Sequence, residues 1–166
     1  MSTDEATDAV GEACPLPRAD QAPADDVLVD ILANSHAIAV VGASPHPLRT
    51  SHAIATWLMN NTPYEVYLVN PHGGDADIEG HGFYSALSEL PVAPDIVVVF
   101  RRAEDVPPVA DAAVEADASV LWLQLGIENQ AAAARARAAG LGVVQNRCIK
   151  VEYARLRDRI ETARAQ

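Results

Sequence analysis

Short polar segments follow the apolar runs of this sequence, and they hold the residues that could bind a ligand. The first segment, residues 42–49, follows the apolar run 37–41 and leads into a helix predicted to begin at Thr50 or Ser51. A glycine such as Gly42 permits a tight turn, and the free N–H groups of a helix N-terminus attract an anion such as phosphate. We therefore predict a phosphate-binding loop here, with a plain strand-to-helix turn as the alternative.

The glycine pattern of this loop bears on which phosphate-containing ligand it would bind. A dinucleotide site is marked by G-x-G-x-x-G and by an acidic residue about 20 positions later that contacts the ribose. Ser44 and Pro47 stand where the second and third glycines belong, and Asn70 follows the second apolar run in place of an acid. The G-K-[ST] signature of a P-loop is absent. An ordinary NAD site is therefore disfavoured, and a P-loop is excluded.

Five short apolar runs position these polar segments. They are residues 37–41, 66–69, 96–100, 120–125 and 142–144. Runs without alternation are typical of parallel strands that helices cover, and a spacing of roughly 20 to 30 residues suits a strand with its crossover. The intervening segments predict helices, and a closing helix is predicted by the apolar stripe Ile149, Tyr153, Leu156 and Ile160. We predict an α/β, three-layer Rossmann-like fold with a five-stranded, mostly parallel sheet and helices on both faces.

The overall charge limits the classes of partner. The 166 residues carry 23 Asp and Glu against 12 Lys and Arg, a net charge of −11. Such a surface repels nucleic acids and anionic membranes, and no apolar run approaches the roughly 20 residues that span a bilayer. Acidic residues near the N-terminus also argue against a secretory signal. We expect a cytoplasmic protein that binds neither nucleic acid nor membrane.

The chain divides into two regions of different composition. Residues 1–22 are acidic, rich in Pro and Ala, and without apolar periodicity, so we predict a disordered tail. An amphipathic helix is predicted to begin at Asp25, and periodic apolar segments continue from there. We therefore predict one Rossmann-like domain over residues 23–166.

Five motifs at the predicted strand ends carry a family resemblance. They are residues 38–45 (IAVVGASP), 69–71 (VNP), 99–102 (VFRR), 122–126 (WLQLG) and 146–150 (NRCIK). Together they resemble the small single-domain CoA-binding proteins, whose Rossmann domain is like the CoA-binding domain of the succinyl-CoA synthetase α subunit. The resemblance runs from about Val27 to Leu156, and it implies that the domain binds coenzyme A or an acyl-CoA.

The resemblance also implies which residues contact the ligand. Gly42, Ala43, Ser44 and Pro45 would contact the phosphates, Asn70 and Pro71 would lie near the ribose, Phe100 and Arg101 near the adenine, and Gln124 and Gly126 along the ligand path. These contacts are the family's, carried over to the matching positions of this sequence.

Three arginines would supply positive charge at this site. Arg49 precedes the predicted helix, and we expect its flexible side chain to neutralise the 3′-phosphate or the diphosphate of the cofactor. Arg101 and Arg102 follow the third apolar run and are also expected at the ligand. The alternative for these two is pairing with the carboxylates of Glu104 and Asp105.

Cys148 precedes the closing helix, beside Arg147 and Lys150. Cations near a thiol favour its reactive thiolate form, and the pantetheine thiol of coenzyme A could end at this position. We therefore predict a thiol contact at Cys148, with a small residue packed under the helix as the alternative.

Catalytic and metal sites are not assigned, and this leaves three classes of function open. No G-x-S-x-G elbow precedes an Asp and His pair, and neither His46 nor His52, which flank the first loop, has i, i+4 spacing to another metal ligand. The first hypothesis is a non-catalytic CoA-binding module. The alternatives are an NAD(P)-linked oxidoreductase or ligase-related subunit, and a degenerate Rossmann scaffold that binds a protein partner.

Overall fold

The computed structural model describes residues 23–166, so the tail predicted at residues 1–22 lies outside the described residues. In this part of the chain, no helix combines the length and the apolar character needed to cross a membrane. The fold consists of strands and helices that alternate along the chain.

Seven strands and five α-helices make up the described part of the chain. The strands are β1 (Ala37–Val41), β2 (Glu65–Val69), β3 (Asp77–Ile78), β4 (His81–Tyr84), β5 (Ile96–Val99), β6 (Val120–Leu123) and β7 (Gly142–Val144). The helices are α1 (Asp25–Asn34), α2 (Thr50–Asn61), α3 (Val106–Glu115), α4 (Gln130–Ala138) and α5 (Ile149–Arg164). Short 3-10 turns cover Leu87–Glu89 and Ala103–Asp105.

The strands form one sheet in the order β3-β4-β2-β1-β5-β6-β7. All neighbouring strands are parallel except β3 and β4, which are antiparallel. The chain extends the sheet from β1 to one side and then returns to add β5 on the other side of β1. The strand order therefore reverses between β1 and β5, where open α/β sheets bind their ligands.

The sheet has two more strands than the five predicted, because β3 and β4 were missed. These strands are joined by Glu79 and Gly80, whose φ angles of 53° and 83° are those of a tight hairpin turn. Three of their six residues are exposed, and only Ile78 is buried. A strand at a solvated sheet edge shows no continuous apolar run, so the criterion that found the other five did not detect this pair.

Helices cover both faces of the sheet, which confirms the predicted three-layer fold. One buried cluster joins α1, α2 and α5 to alternate strand residues such as Ile38 and Val40. The other cluster joins α3 and α4 to the remaining strand residues, such as Ala39 and Val41, which alternate with those of the first cluster. Because successive side chains of a strand point to opposite faces, the fully apolar β1 contributes to both clusters.

Arginines of α5 hold α1 against it at both ends. Arg155 donates hydrogen bonds of 2.9 and 2.7 Å to the carboxylate of Asp25, and Arg164 donates one of 2.7 Å to the carbonyl oxygen of Ser35. The hydrogen bonds from Arg155 lower the pKa of the Asp25 carboxyl below its ordinary value. The two helices therefore pack as one unit on this face of the sheet.

Asp95 links the N-terminal ends of three strands. These ends lie opposite the carboxyl ends, where the ligand site is predicted. Its Oδ2 atom accepts hydrogen bonds from the N–H groups of His36 and Ala37, at 2.7 and 2.9 Å. Its carbonyl oxygen accepts from Ser119 and Val120, at 3.1 and 2.9 Å. One residue thereby aligns β1, β5 and β6.

We expect Asp95→Ala to lower the free energy of unfolding by about 1.5–3 kcal/mol, because two backbone N–H groups lose a charged acceptor. The Asp95→Asn variant keeps an oxygen acceptor and should lose less. Urea unfolding followed by far-UV circular dichroism measures both variants. If Asp95→Ala were as stable as the unsubstituted protein, the carboxylate would not be holding the strand starts.

Candidate functional site

The loop after β1 passes directly over the end of β5. Gly42 has a φ of +85°, and a Cβ atom at this position would lie 2.4 Å from the carbonyl oxygen of Phe100. Backbone hydrogen bonds hold this geometry: Gly42 donates to Val69 at 2.9 Å, and Phe100 donates to Val41 at 2.8 Å. Only glycine satisfies both the left-handed φ and the close approach.

The first loop and the start of α2 are held together by hydroxyl and imidazole groups. Ser51 is buried, and its Oγ accepts a hydrogen bond of 3.0 Å from the N–H of Ser44. The Ser44 Oγ accepts from His46 at 3.1 Å, and the His46 Nδ1 accepts from Leu48 at 3.2 Å. These hydrogen bonds give three backbone N–H groups of the loop an acceptor, and they fix the conformation of the loop.

The N-terminus of α2 offers donors to an anion. Within residues 23–166, the backbone N–H groups of Thr50 and Ser51 have no hydrogen-bond acceptor, and the first turn holds no acidic residue. Arg49 at the cap position makes no side-chain capping bond. Free N–H groups and the helix dipole favour a negative charge at this point.

Asn70 connects the end of β2 to this loop. Its Nδ2 donates a hydrogen bond of 2.8 Å to the carbonyl oxygen of Ala43, and its Oδ1 accepts one of 2.9 Å from His72. Pro71 follows and is exposed. The Asn70 side chain therefore positions the loop, and its predicted contact with a ribose stays a prediction.

The arginines differ in their surroundings. Arg102 is 78% exposed, and its Nε lies 3.6 Å from Glu104 and 3.2 Å from Asp105, so the pairing alternative holds for this residue. Neither Arg101 nor Arg49 forms a salt bridge anywhere in the described part of the chain. The Cδ of Arg101 lies 3.5 Å from the point where a Cβ of Gly42 would stand, which places its side chain against the first loop.

The segment after β6 is tied to the start of α5. Gln124 is 3% exposed, and its Oε1 accepts a hydrogen bond of 3.0 Å from the N–H of Ile149. Gly126 is exposed, and its N–H donates to the Oδ1 of Asn146 at 2.6 Å. Gln124 thus holds α5 at this end of the sheet, and its predicted position along a ligand path remains a prediction.

Cys148 stands directly before α5 and is partly exposed, with its side chain packed against the core cluster of that face. The cations on either side of it interact elsewhere. The Nη1 of Arg147 lies 3.4 Å from Glu152, and the Nζ of Lys150 lies 5.7 Å from the ring centre of Trp57. Cys148 thus packs against the core beside α5, and its predicted contact with the thiol of a ligand stays a prediction.

Three residues that shape the site were not among the predicted ones. Ser51 and Asn146 hold the two loops, and Asn129 caps α4 through its Oδ1 while its Nδ2 donates to Ala103 at 2.9 Å. Asn129 carries a recognisable signal, since asparagine is a preferred N-cap residue. Within residues 23–166, no three His, Cys, Asp or Glu side chains converge as metal ligands would.

We expect Gly42→Ala to destabilise the fold more than Gly126→Ala does. Both positions have a positive φ, but a Cβ at Gly126 meets no atom within 4 Å, whereas one at Gly42 collides with Phe100. The collision should add about 1–3 kcal/mol to the strain that the two variants share. Urea unfolding of both variants measures this difference, and equal losses would show that the close approach carries no constraint.

Comparison with known proteins places the chain in a family. The sequence profile of the CoA binding domain matches residues 36–154. The uncharacterized protein YneT of Bacillus subtilis (strain 168) is 40% identical over 134 residues, which cover 81% of this chain and 97% of YneT.

Two solved structures share the fold at similar sequence identity. Prb, the PH1109 protein redesigned for binding, has a TM-score of 0.77 at 31% identity and covers 82% of this chain and 94% of its own. Cell-free ID.343 from Thermus thermophilus has a TM-score of 0.76 at 30% identity, and the match covers 81% of this chain and 99% of the other. By profile, sequence identity and fold together, this chain belongs to the CoA binding domain family.

Proposed function

We propose that this protein binds coenzyme A or an acyl-CoA at the carboxyl ends of β1, β2 and β5, without catalysing a reaction on it. The observation that carries the proposal is the N-terminus of α2 at the reversal of strand order, with free N–H groups and two arginines that lack carboxylate partners in the described part. Membership of a CoA-binding family supports a ligand of this class.

The diphosphate is the part of the ligand that this arrangement suits best. Its oxygens would accept hydrogen bonds from the N–H groups of Thr50 and Ser51, as anions do at helix N-termini. The missing side chain of Gly42 lets the first loop lie against the carbonyl oxygen of Phe100 at the end of β5. The Asn70 and Ser51 side chains keep the loop in the shape that this contact requires.

Arg49 and Arg101 would compensate the negative charge of the ligand. The chain carries a net charge of −11, so its general field opposes a polyanion such as coenzyme A. Binding therefore needs local cations that are not already neutralised. Arg102 is less suited to this role, since Glu104 and Asp105 lie within salt-bridge distance of its guanidinium.

The remaining parts of the ligand would extend along the ends of the neighbouring strands. The half-buried ring of Phe100 offers an apolar surface for the adenine, beside Asn70 and Pro71 near the ribose. The pantetheine arm would pass Gly126 and reach the start of α5 near Cys148. At that position the small, packed sulfur of Cys148 would give an apolar contact to the end of the arm.

Calorimetric titration of the ligand-stripped full chain with coenzyme A, dephospho-CoA and NAD tests the proposal. We expect coenzyme A to bind more tightly than dephospho-CoA, because an arginine meets the 3′-phosphate, and NAD to give no heat. Mass spectrometry of the recovered cofactor should show it unchanged. Absence of heat and of a thermal shift with all three ligands would favour the protein-interaction scaffold, whereas preference for NAD would favour the oxidoreductase alternative.

A double variant tests the cations directly. We expect Arg49→Ala with Arg101→Ala to weaken coenzyme A binding by about tenfold or more, because charged hydrogen bonds to phosphate are lost. Arg102→Ala is the matched control, and it should bind within about twofold of the unsubstituted protein because its guanidinium already has carboxylate partners. Unchanged affinity in the double variant would show that the phosphates lie elsewhere.

A further inference from the structure

A second cavity lies beside β2 and β4 at the outer part of the sheet, and it shares no lining residue with the candidate CoA site. Its volume is about 390 Å³, within the range of about 300–1,000 Å³ found for small-molecule sites. The cavity exists because β4 pairs with β2 only at Leu68–Phe83 and Val69–Tyr84. The first half of β2 therefore has no neighbouring strand on this side.

Two tyrosine rings form a corner at this cavity. The rings of Tyr67 and Tyr84 have their centres 6.0 Å apart and their planes at 61°. Met59, from the end of α2, lines the same cavity. Aromatic faces carry partial negative charge and attract a cation within about 6 Å, and a polarizable sulfur packs well against methyl groups.

The carboxylate of Glu65, an exposed residue of β2, completes the lining. Glu65 lies two residues before Tyr67 on the same face of β2, and its Oε2 accepts a hydrogen bond of 3.0 Å from the Tyr67 hydroxyl. No Lys, Arg or His within residues 23–166 forms a salt bridge with Glu65. Burial is the main cause that raises the pKa of the Tyr67 hydroxyl, so this group stays a neutral donor to the carboxylate.

We propose that this cavity binds an organic ammonium group, with the tyrosine rings around its methyl groups and Glu65 as its counter-ion. Packing of two aromatic residues across β2 and β4 would account for the ring pair alone. It does not account for the position of the Glu65 carboxylate, which the Tyr67 hydroxyl holds beside the rings at the same cavity. Rings together with a carboxylate are the chemistry that recognises choline-like and methylated lysine groups.

An NMR titration of the full chain with choline tests this proposal, with uncharged 3,3-dimethyl-1-butanol as the isostere. We expect amide shifts at Tyr67, Gly82 and Tyr84, and choline binding about fivefold tighter than the alcohol. Equal affinity for the two would show an apolar pocket only, and no shift with choline would overturn the proposal.

Variants separate the carboxylate from the general charge of the protein. Glu65→Gln keeps an acceptor for Tyr67 and removes the charge, so choline binding should weaken about fivefold. The matched control is Glu115→Gln, which removes an exposed carboxylate on α3, outside this cavity, and should change nothing. If both variants bound choline as the unsubstituted protein does, Glu65 would not be the counter-ion.

Two sources of the ammonium group are distinguished by a pair of peptides. One carries trimethyl-lysine and the other carries unmodified lysine in the same sequence. Tighter binding of the methylated peptide than of free choline would indicate a protein side chain as the ligand. Binding of choline alone would indicate a small molecule, and binding of neither would contradict the proposal.

Discussion

The close approach of Gly42 to the carbonyl oxygen of Phe100 is the constraint on which the arrangement of this end of the sheet depends. A side chain at residue 42 would lie 2.4 Å from that oxygen, so only glycine lets the chain leave β1 across the end of β5. This crossing occurs where the strand order reverses. It brings the loop, the start of α2 and the residues after β5 to one place, and the N-terminus of α2 consequently points into the site.

Neutral side chains hold the loops of the candidate site together, and the charges of its arginines remain available for a ligand. Asn70, Ser51 and Gln124 each hydrogen-bond to backbone groups of the loops or of α5. Arg49 and Arg101 form no salt bridge within residues 23–166. Between α1 and α5 the reverse holds, since Arg155 binds Asp25 and stabilises the packing of the two helices. Charge is thus structural in one region and free to bind an anion in the other.

Much of the fold could be predicted because apolar patterning is local. The predicted strand at residues 37–41 is β1, and the predicted start of α1 at Asp25 and of α2 at Thr50 or Ser51 agrees with the structure. The hairpin of β3 and β4 could not be predicted in the same way, since its partly exposed residues carry no apolar run. The roles of Asn70 and Gln124 as scaffold residues also escaped prediction, because their partners, Ala43 and Ile149, are 27 and 25 positions away.

The sequence alone was enough to predict the layers of the fold, the loop that begins at Gly42 and the family. Apolar periodicity and short motifs depend only on residues that are neighbours in the chain. Tertiary structure alone decided which of the adjacent arginines at 101 and 102 pairs with a carboxylate. It also decided that Glu65, Tyr67 and Tyr84, which belong to two strands, line one cavity. The physical reason is that ion pairing and cation recognition depend on distances of a few ångströms between side chains, and the path of the backbone sets these distances.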